Sequence, residues 1–144
     1  MIALDTNILV QAHRRDAPWH ERATEAVHEL AEGRQAWAIP WPCVHEFLAV
    51  ATHAAVWSTP TPASDAWGQV EAWLASPTLS LLAETEGYAA TLAEVLDASR
   101  VSGARIHDAR VAALCLHHGV DELWTADRDF QRFTNLRTVN PLVD

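Results

Sequence analysis

The stretch MIALDTNILVQAHR, residues 1–14, decides the fold. Its first four residues form a short apolar run of strand type that stops at Asp5, and TNILVQAHR then reads as a helix capped by Thr6 or Asn7. This handover from strand to helix repeats down the chain. Ala23, Ala26, Val27 and Leu30 fall at helical spacing within Trp19 to Leu30, and Gly33 is a natural stop. AWAIP is a second strand, and Pro42 suits the first turn of a helix running to about Val56. STPTPASD is a loop, helix resumes around Ala66–Leu74, TLSLL is a third strand, and Glu86 to Ala98 is helical. IHDARVAALCLHHG reads as a helix closed by Gly119, and ELWTA as a fourth strand. A short helix near Arg128–Phe133 and a fifth strand in RTVN complete the pattern. Short strands alternating with longer helices predict an α/β three-layer sandwich: a central, mostly parallel sheet of four to five strands flanked by helices, in one domain over residues 1–144. In such sheets ligands bind outside the carboxyl ends of the strands, where Asp5 and Asp127 are predicted to lie.

Composition narrows the chemistry. At 144 residues and 49% hydrophobic, the chain can bury a core, and no apolar run approaches the ~18 residues of a membrane span. The start lacks the basic region of a signal peptide, so a cytoplasmic, membrane-free protein is expected. Cys43 and Cys115 show no zinc spacing and read as buried reduced thiols. All ten basic residues are arginine. The absence of lysine excludes Schiff-base catalysis and a phosphate-loop lysine. A net charge of −9 argues against a general nucleic-acid sponge, and fits either solubility and a basic partner or carboxylates gathered to hold divalent cations.

Each candidate acid has an ordinary explanation beside the functional one. Asp5, followed by Thr6 and Asn7, fits helix capping. Glu46 shares a predicted helix face with Cys43, Phe47, Val50 and Ala54, where a carboxylate must be paired with an arginine, protonated or metal-bound. Asp108 sits in a first turn, where the helix dipole stabilises it by roughly 0.3–1 kcal/mol. Asp127 and Asp129 can cap the helix that follows. Together they fall at strand ends or early helix turns along one predicted rim. Clustered carboxylates repel unless cations compensate them, and oxygen-only ligation suits Mg²⁺ or Mn²⁺, which points to phosphoryl chemistry.

Four segments in order carry a resemblance: ALDTNILV, PCVHEFLAV, IHDARVAALCLHHG and ELWTADRDFQRF. Over essentially its whole length the chain resembles the PIN-domain family, and within it the VapC-type toxins of bacterial toxin–antitoxin pairs. The resemblance implies an Mg²⁺- or Mn²⁺-dependent ribonuclease on a parallel sheet flanked by helices. It carries the acidic, metal-holding set over to Asp5, Glu46, Asp108 and Asp127, with Asp129 as an additional acid. Thr6, Asn7 and Thr125 match its supporting polar residues. It further implies an RNA substrate, a homodimer and a small co-encoded VapB-type antitoxin. Without lysine, phosphate contacts fall to arginine or backbone N–H groups, and Arg105, Arg110, Arg128 and Arg132 flank the motifs. A catalytically degenerate PIN-like binding module is the alternative reading. A haloacid-dehalogenase-like phosphatase is disfavoured because position 7 is Asn7, and it and a response-regulator receiver both require a lysine. His107 adjoins Asp108, and the other histidines show no ligand spacing. Among the seven tryptophans, Trp41 and Trp57 are the candidates for stacking on bases.

One point is conditional. If the chain stays extended through Arg128, the side chains of Asp127 and Asp129 face the same way; if a helix starts there, Asp129 turns aside.

Overall fold

The computed structural model describes residues 1–144. Five strands, β1 (Ile2–Leu4), β2 (Trp37–Pro40), β3 (Leu79–Leu82), β4 (Glu122–Trp124) and β5 (Thr138–Val139), form one sheet in the order β3-β2-β1-β4-β5. Every pairing is parallel, so the sheet is wholly rather than mostly parallel. Six helices accompany it: α1 (Thr6–His13), α2 (His20–Glu32), α3 (Trp41–Ala51), α4 (Ala63–Leu74), α5 (Tyr88–Ser99) and α6 (Arg105–His117). By the right-handed crossover rule for parallel strands, α1–α4 belong to one face, as the chain moves outward from β1 to β3, and α5 and α6 to the other, as it returns to β4. The contacts of α1 with α2 and α3, and of α5 with α6, accord with this layering.

Burial follows from that layering. A sheet covered on both faces needs apolar side chains in both directions, and every residue of β1 and β2 is buried. Trp37 is fully buried, and its indole N–H donates to Ser76 Oγ at 3.1 Å. Cys43 and Cys115 are buried free thiols, as expected. Burial pushes the Cys115 thiol up to about 12 and Cys43 well above its ordinary value. No helix is long and apolar enough to cross a membrane.

Two boundaries differ from the sequence expectation by more than two residues. α3 stops at Ala51 instead of reaching Val56, because the Thr52 hydroxyl donates back to the Leu48 carbonyl at 2.7 Å and the chain turns. α4 starts at Ala63, directly after Pro62, which shortens the loop.

Strand order reverses at β1. The chain steps from β1 to β2 on one side, whereas β4 enters on the other. The crevice at the carboxyl ends of β1 and β4 is therefore the topological switch point of the sheet, the place where this class of fold binds ligands.

Candidate active site

Asp5 ends β1 and sits over that crevice, 6% exposed. Its backbone N–H donates to Trp124 O at 3.0 Å, so the last pairing of β1 with β4 fixes its position. Its carboxylate is held from several directions. Oδ1 accepts from the Thr6 N–H at 2.8 Å, which is the N-cap bond of α1, and from Cys43 Sγ at 3.7 Å. Oδ2 accepts from Asn7 Nδ2 at 2.9 Å and Thr125 Oγ1 at 2.7 Å. The capping role and the pocket role thus coexist in one side chain. Burial raises the Asp5 pKa, the bonds from Thr125 and Thr6 oppose that shift, and the charge of Glu46 adds to it.

Asn7 and Thr125 also tie the ends of β1 and β4 together. Asn7 Oδ1 accepts from the Ala126 N–H at 3.0 Å, and its Nδ2 reaches Thr125 Oγ1 at 3.2 Å. Thr125 Oγ1 in turn accepts from the Asp127 N–H at 3.0 Å. One hydroxyl therefore connects two of the acids. Thr6 makes a second connection, since its Oγ1 donates to Glu46 Oε2 at 3.1 Å.

A groove of about 710 Å³ opens above these groups, and Asp5, Glu46, Asp108 and Asp127 all line it. Glu46 departs from expectation. The buried positions of α3 are Cys43, Val44, Phe47 and Ala51, which turns Glu46 to the exposed rim. Its partner is Thr6 and not an arginine, so it is neither a buried charge nor half of an ion pair. Asp108, in the first turn of α6, is partly buried. Its pKa is raised by burial and next by Asp127, and Arg105 pulls the other way. Asp127 caps a short 3₁₀ turn, Arg128–Arg132, through a 2.9 Å bond from the Asp129 N–H to its Oδ1.

That 3₁₀ turn resolves the conditional reading of Asp129. The chain coils at Arg128, and Asp129 swings out of the groove lining to pair with Arg105. Arg105 also meets Asp108 Oδ2 at 3.4 Å. Of the flanking arginines, Arg110 lines the groove but its Nε is engaged by Glu84 at 2.6 Å, and Arg105 and Arg128 lie outside the lining. Arg132 lines a separate small cavity beside α5. Arg105 is paired with Asp129 and Asp108, and Arg110 with Glu84, whereas Asp5, Glu46 and Asp127 have no arginine partner. His107 and Trp57 line it and Trp41 does not. Gln11 and His45 also line the groove, and the sequence did not single out Gln11 at all.

The donor set fits a hard divalent cation: carboxylate oxygens from four elements of the fold, mutually repulsive, without a compensating lysine. No three acids close on one point as a finished ligand cage. Mg²⁺ does not require one, because it takes one or two carboxylates and retains waters until phosphate oxygens complete its shell.

The pattern of the PIN domain matches residues 2–136, and the chain belongs to this family. Among curated relatives it is 33% identical to the ribonuclease VapC43 of Mycobacterium tuberculosis over 142 residues, covering 99% of this chain and 96% of that one. It is 29% identical to the ribonuclease VapC48 of the same organism, covering 95% and 94%. The fold is similar to that in the crystal structure of VapBC2 from Rickettsia felis bound to a promoter DNA fragment, with TM-score 0.70, 19% identity and coverage of 97% and 98%. It is also similar to FitAcB from Neisseria gonorrhoeae, with TM-score 0.66, 18% identity and coverage of 98% of both chains.

Proposed function

We propose that this chain is a metal-dependent endoribonuclease and the toxin of a type II toxin–antitoxin pair, acting in the cytoplasm. The observation that carries this reading is the convergence of Asp5, Glu46, Asp108 and Asp127 on one groove at the switch point of the sheet. These four residues would hold Mg²⁺ or Mn²⁺, and a bound ion supplies acidification of water and stabilisation of charge on a phosphodiester. The chain's own residues do the rest. Thr6, Asn7 and Thr125 fix both oxygens of Asp5 before any ligand arrives. Thr6 orients Glu46, and the Asp127 cap holds that carboxylate at the groove wall. Asp5, Glu46 and Asp127 carry no arginine partner and stay open to cations, and a basic partner such as a VapB-type antitoxin would meet a complementary surface. Asp129 is assigned no place in the ion-holding set, because its partner is Arg105.

The test is cleavage of RNA by purified protein with Mg²⁺ or Mn²⁺, with EDTA, and as Asp5→Asn and Asp108→Asn variants. Cleavage only in the first condition is expected, with losses of at least 100-fold in each variant. Activity that persists in EDTA and in Asp5→Asn would remove the metal reading. A readout independent of turnover is the melting temperature, which a cation bound by the folded state alone raises by mass action. Wild type is expected to gain a few degrees in Mn²⁺ and the Asp5→Asn variant far less. Homodimer formation is checked by light scattering, and antitoxin pairing by co-expression of the neighbouring gene.

A further inference from the structure

The groove continues beyond the acids. Its lining runs from Glu46 along α3 to Val50 and ends at Trp57 in the loop between α3 and α4. Val50, to which Trp57 is bonded, lies about one helical turn, roughly 6 Å of rise, beyond Glu46.

Trp57 is fixed in place. Its Nε1–H donates to the Val50 carbonyl at 2.9 Å. The Arg14 guanidinium lies over the ring, 4.2 Å from its centroid. Arg14, 8% exposed, is itself immobilised. Asp16 grips it through two bonds of 2.9 and 2.6 Å, and it donates to Thr59 O at 2.8 Å and Thr61 Oγ1 at 3.1 Å. His13 Nε2 bonds the same Thr61 hydroxyl at 3.0 Å and its Nδ1 bonds Gln69 Oε1 at 3.1 Å, so the loop is fastened to α1 and α4 together. With Arg14 over the ring and the N–H used on Val50, what Trp57 has left to offer the groove it lines is apolar aromatic surface.

Two polar side chains line the same groove. Gln11 uses its carboxamide oxygen on the Trp19 N–H at 2.9 Å, leaving its NH₂ as a donor, and it lines the groove with His45. An aromatic ring that shares one groove with an amide donor, an imidazole and the four carboxylates matches a planar heterocycle with a hydrogen-bonding edge, attached to a phosphodiester.

We propose that Trp57 is the stacking platform of a base-binding subsite for single-stranded RNA, and that Arg14 is the positioning residue that holds it. This rests on the ribonuclease reading for the occupant of the acidic end. An unpaired base stacks on an aromatic face without sequence preference, and Gln11 and His45 add a means of discriminating its edge.

Two measurements test it. In steady-state cleavage of a short single-stranded oligoribonucleotide, Trp57→Leu is expected to raise KM roughly five- to 100-fold with kcat changed less than about twofold, and Trp57→Phe to restore most of the loss. Arg14→Leu is expected to raise KM less than Trp57→Leu does. The second measurement needs no turnover. A 5-bromouridine-substituted oligoribonucleotide is irradiated with the Asp108→Asn protein and the crosslink is mapped by mass spectrometry. A crosslink at Trp57 supports the subsite even if wild type cleaves no RNA, a result that would sink the ribonuclease reading alone. Crosslinks confined to other aromatic residues, or a KM for Trp57→Leu within about twofold of wild type, overturn the subsite. So does a Trp57→Leu variant that loses affinity for a protein partner and none for RNA.

Discussion

At the residue scale, Asp5 and Asp108 show what a carboxylate pocket costs its own fold. Both carboxyls have native pKa values above the ordinary 3.8. A raised native pKa means the folded protein binds a proton that the unfolded chain has released, so stability falls as pH rises from 3.8 through the native value. Above that value the penalty is fully present. Asp108→Asn is therefore expected to raise the melting temperature by about 2–4 °C at neutral pH in EDTA. The gain should shrink toward zero as pH falls toward 3.8. A variant that melts lower throughout would show that the ion pair with Arg105 outweighs the repulsion from Asp127. The thiols give a second residue-scale expectation. Thiolate is the reactive form, and with Cys115 pushed up to about 12 and Cys43 raised well above its ordinary value by burial, neither should react with iodoacetamide at neutral pH until the protein unfolds. Fast labelling of the native chain would contradict their burial.

At the element scale, legibility in the sequence tracked how local the cause was. Asp5 and Asp127 were legible because each follows a short strand-type run, Asp5 directly and Asp127 after Thr125 and Ala126, and strand ends in a parallel sheet share one rim. Glu46 was found for a partly mistaken reason. It was placed on an apolar stripe, but the inward face of α3 is Cys43, Val44, Phe47 and Ala51, and the glutamate stands on the rim. The overrun of α3 arose because nothing in residues 52–56 breaks a helix by propensity; the turn comes from a Thr52 side chain bonding back to Leu48. The Arg14–Trp57 clamp could not be read at all, because it depends on a loop folding back across more than forty residues of chain. Gly33 offers an element-scale prediction. A Cβ there would lie 2.5 Å from the Glu29 carbonyl oxygen, which belongs to the helix backbone and cannot yield cheaply. Gly33→Ala is expected to destabilise by about 1–3 kcal/mol in chemical denaturation. An unchanged midpoint would show that the α2 terminus relaxes freely.

At the scale of the whole molecule, the wholly parallel sheet joins strands that are far apart in the chain. β1 pairs with β2 over some thirty-five residues and with β4 over about 120. Such topologies fold late, because loop closure must precede the contacts that reward it. This has a bearing on synthesis. While the chain emerges from the ribosome, Asp5 and Glu46 come out early, but Asp5 lacks Thr125 and Asn7 lacks the Ala126 amide until β4 has been translated and inserted beside β1. A nascent chain ending before Arg105 carries half of the acids and no switch-point crevice. The groove therefore comes into being only when translation is nearly complete, and the order of strands in the sheet acts as a clock that withholds the assembled carboxylate site from the growing polypeptide.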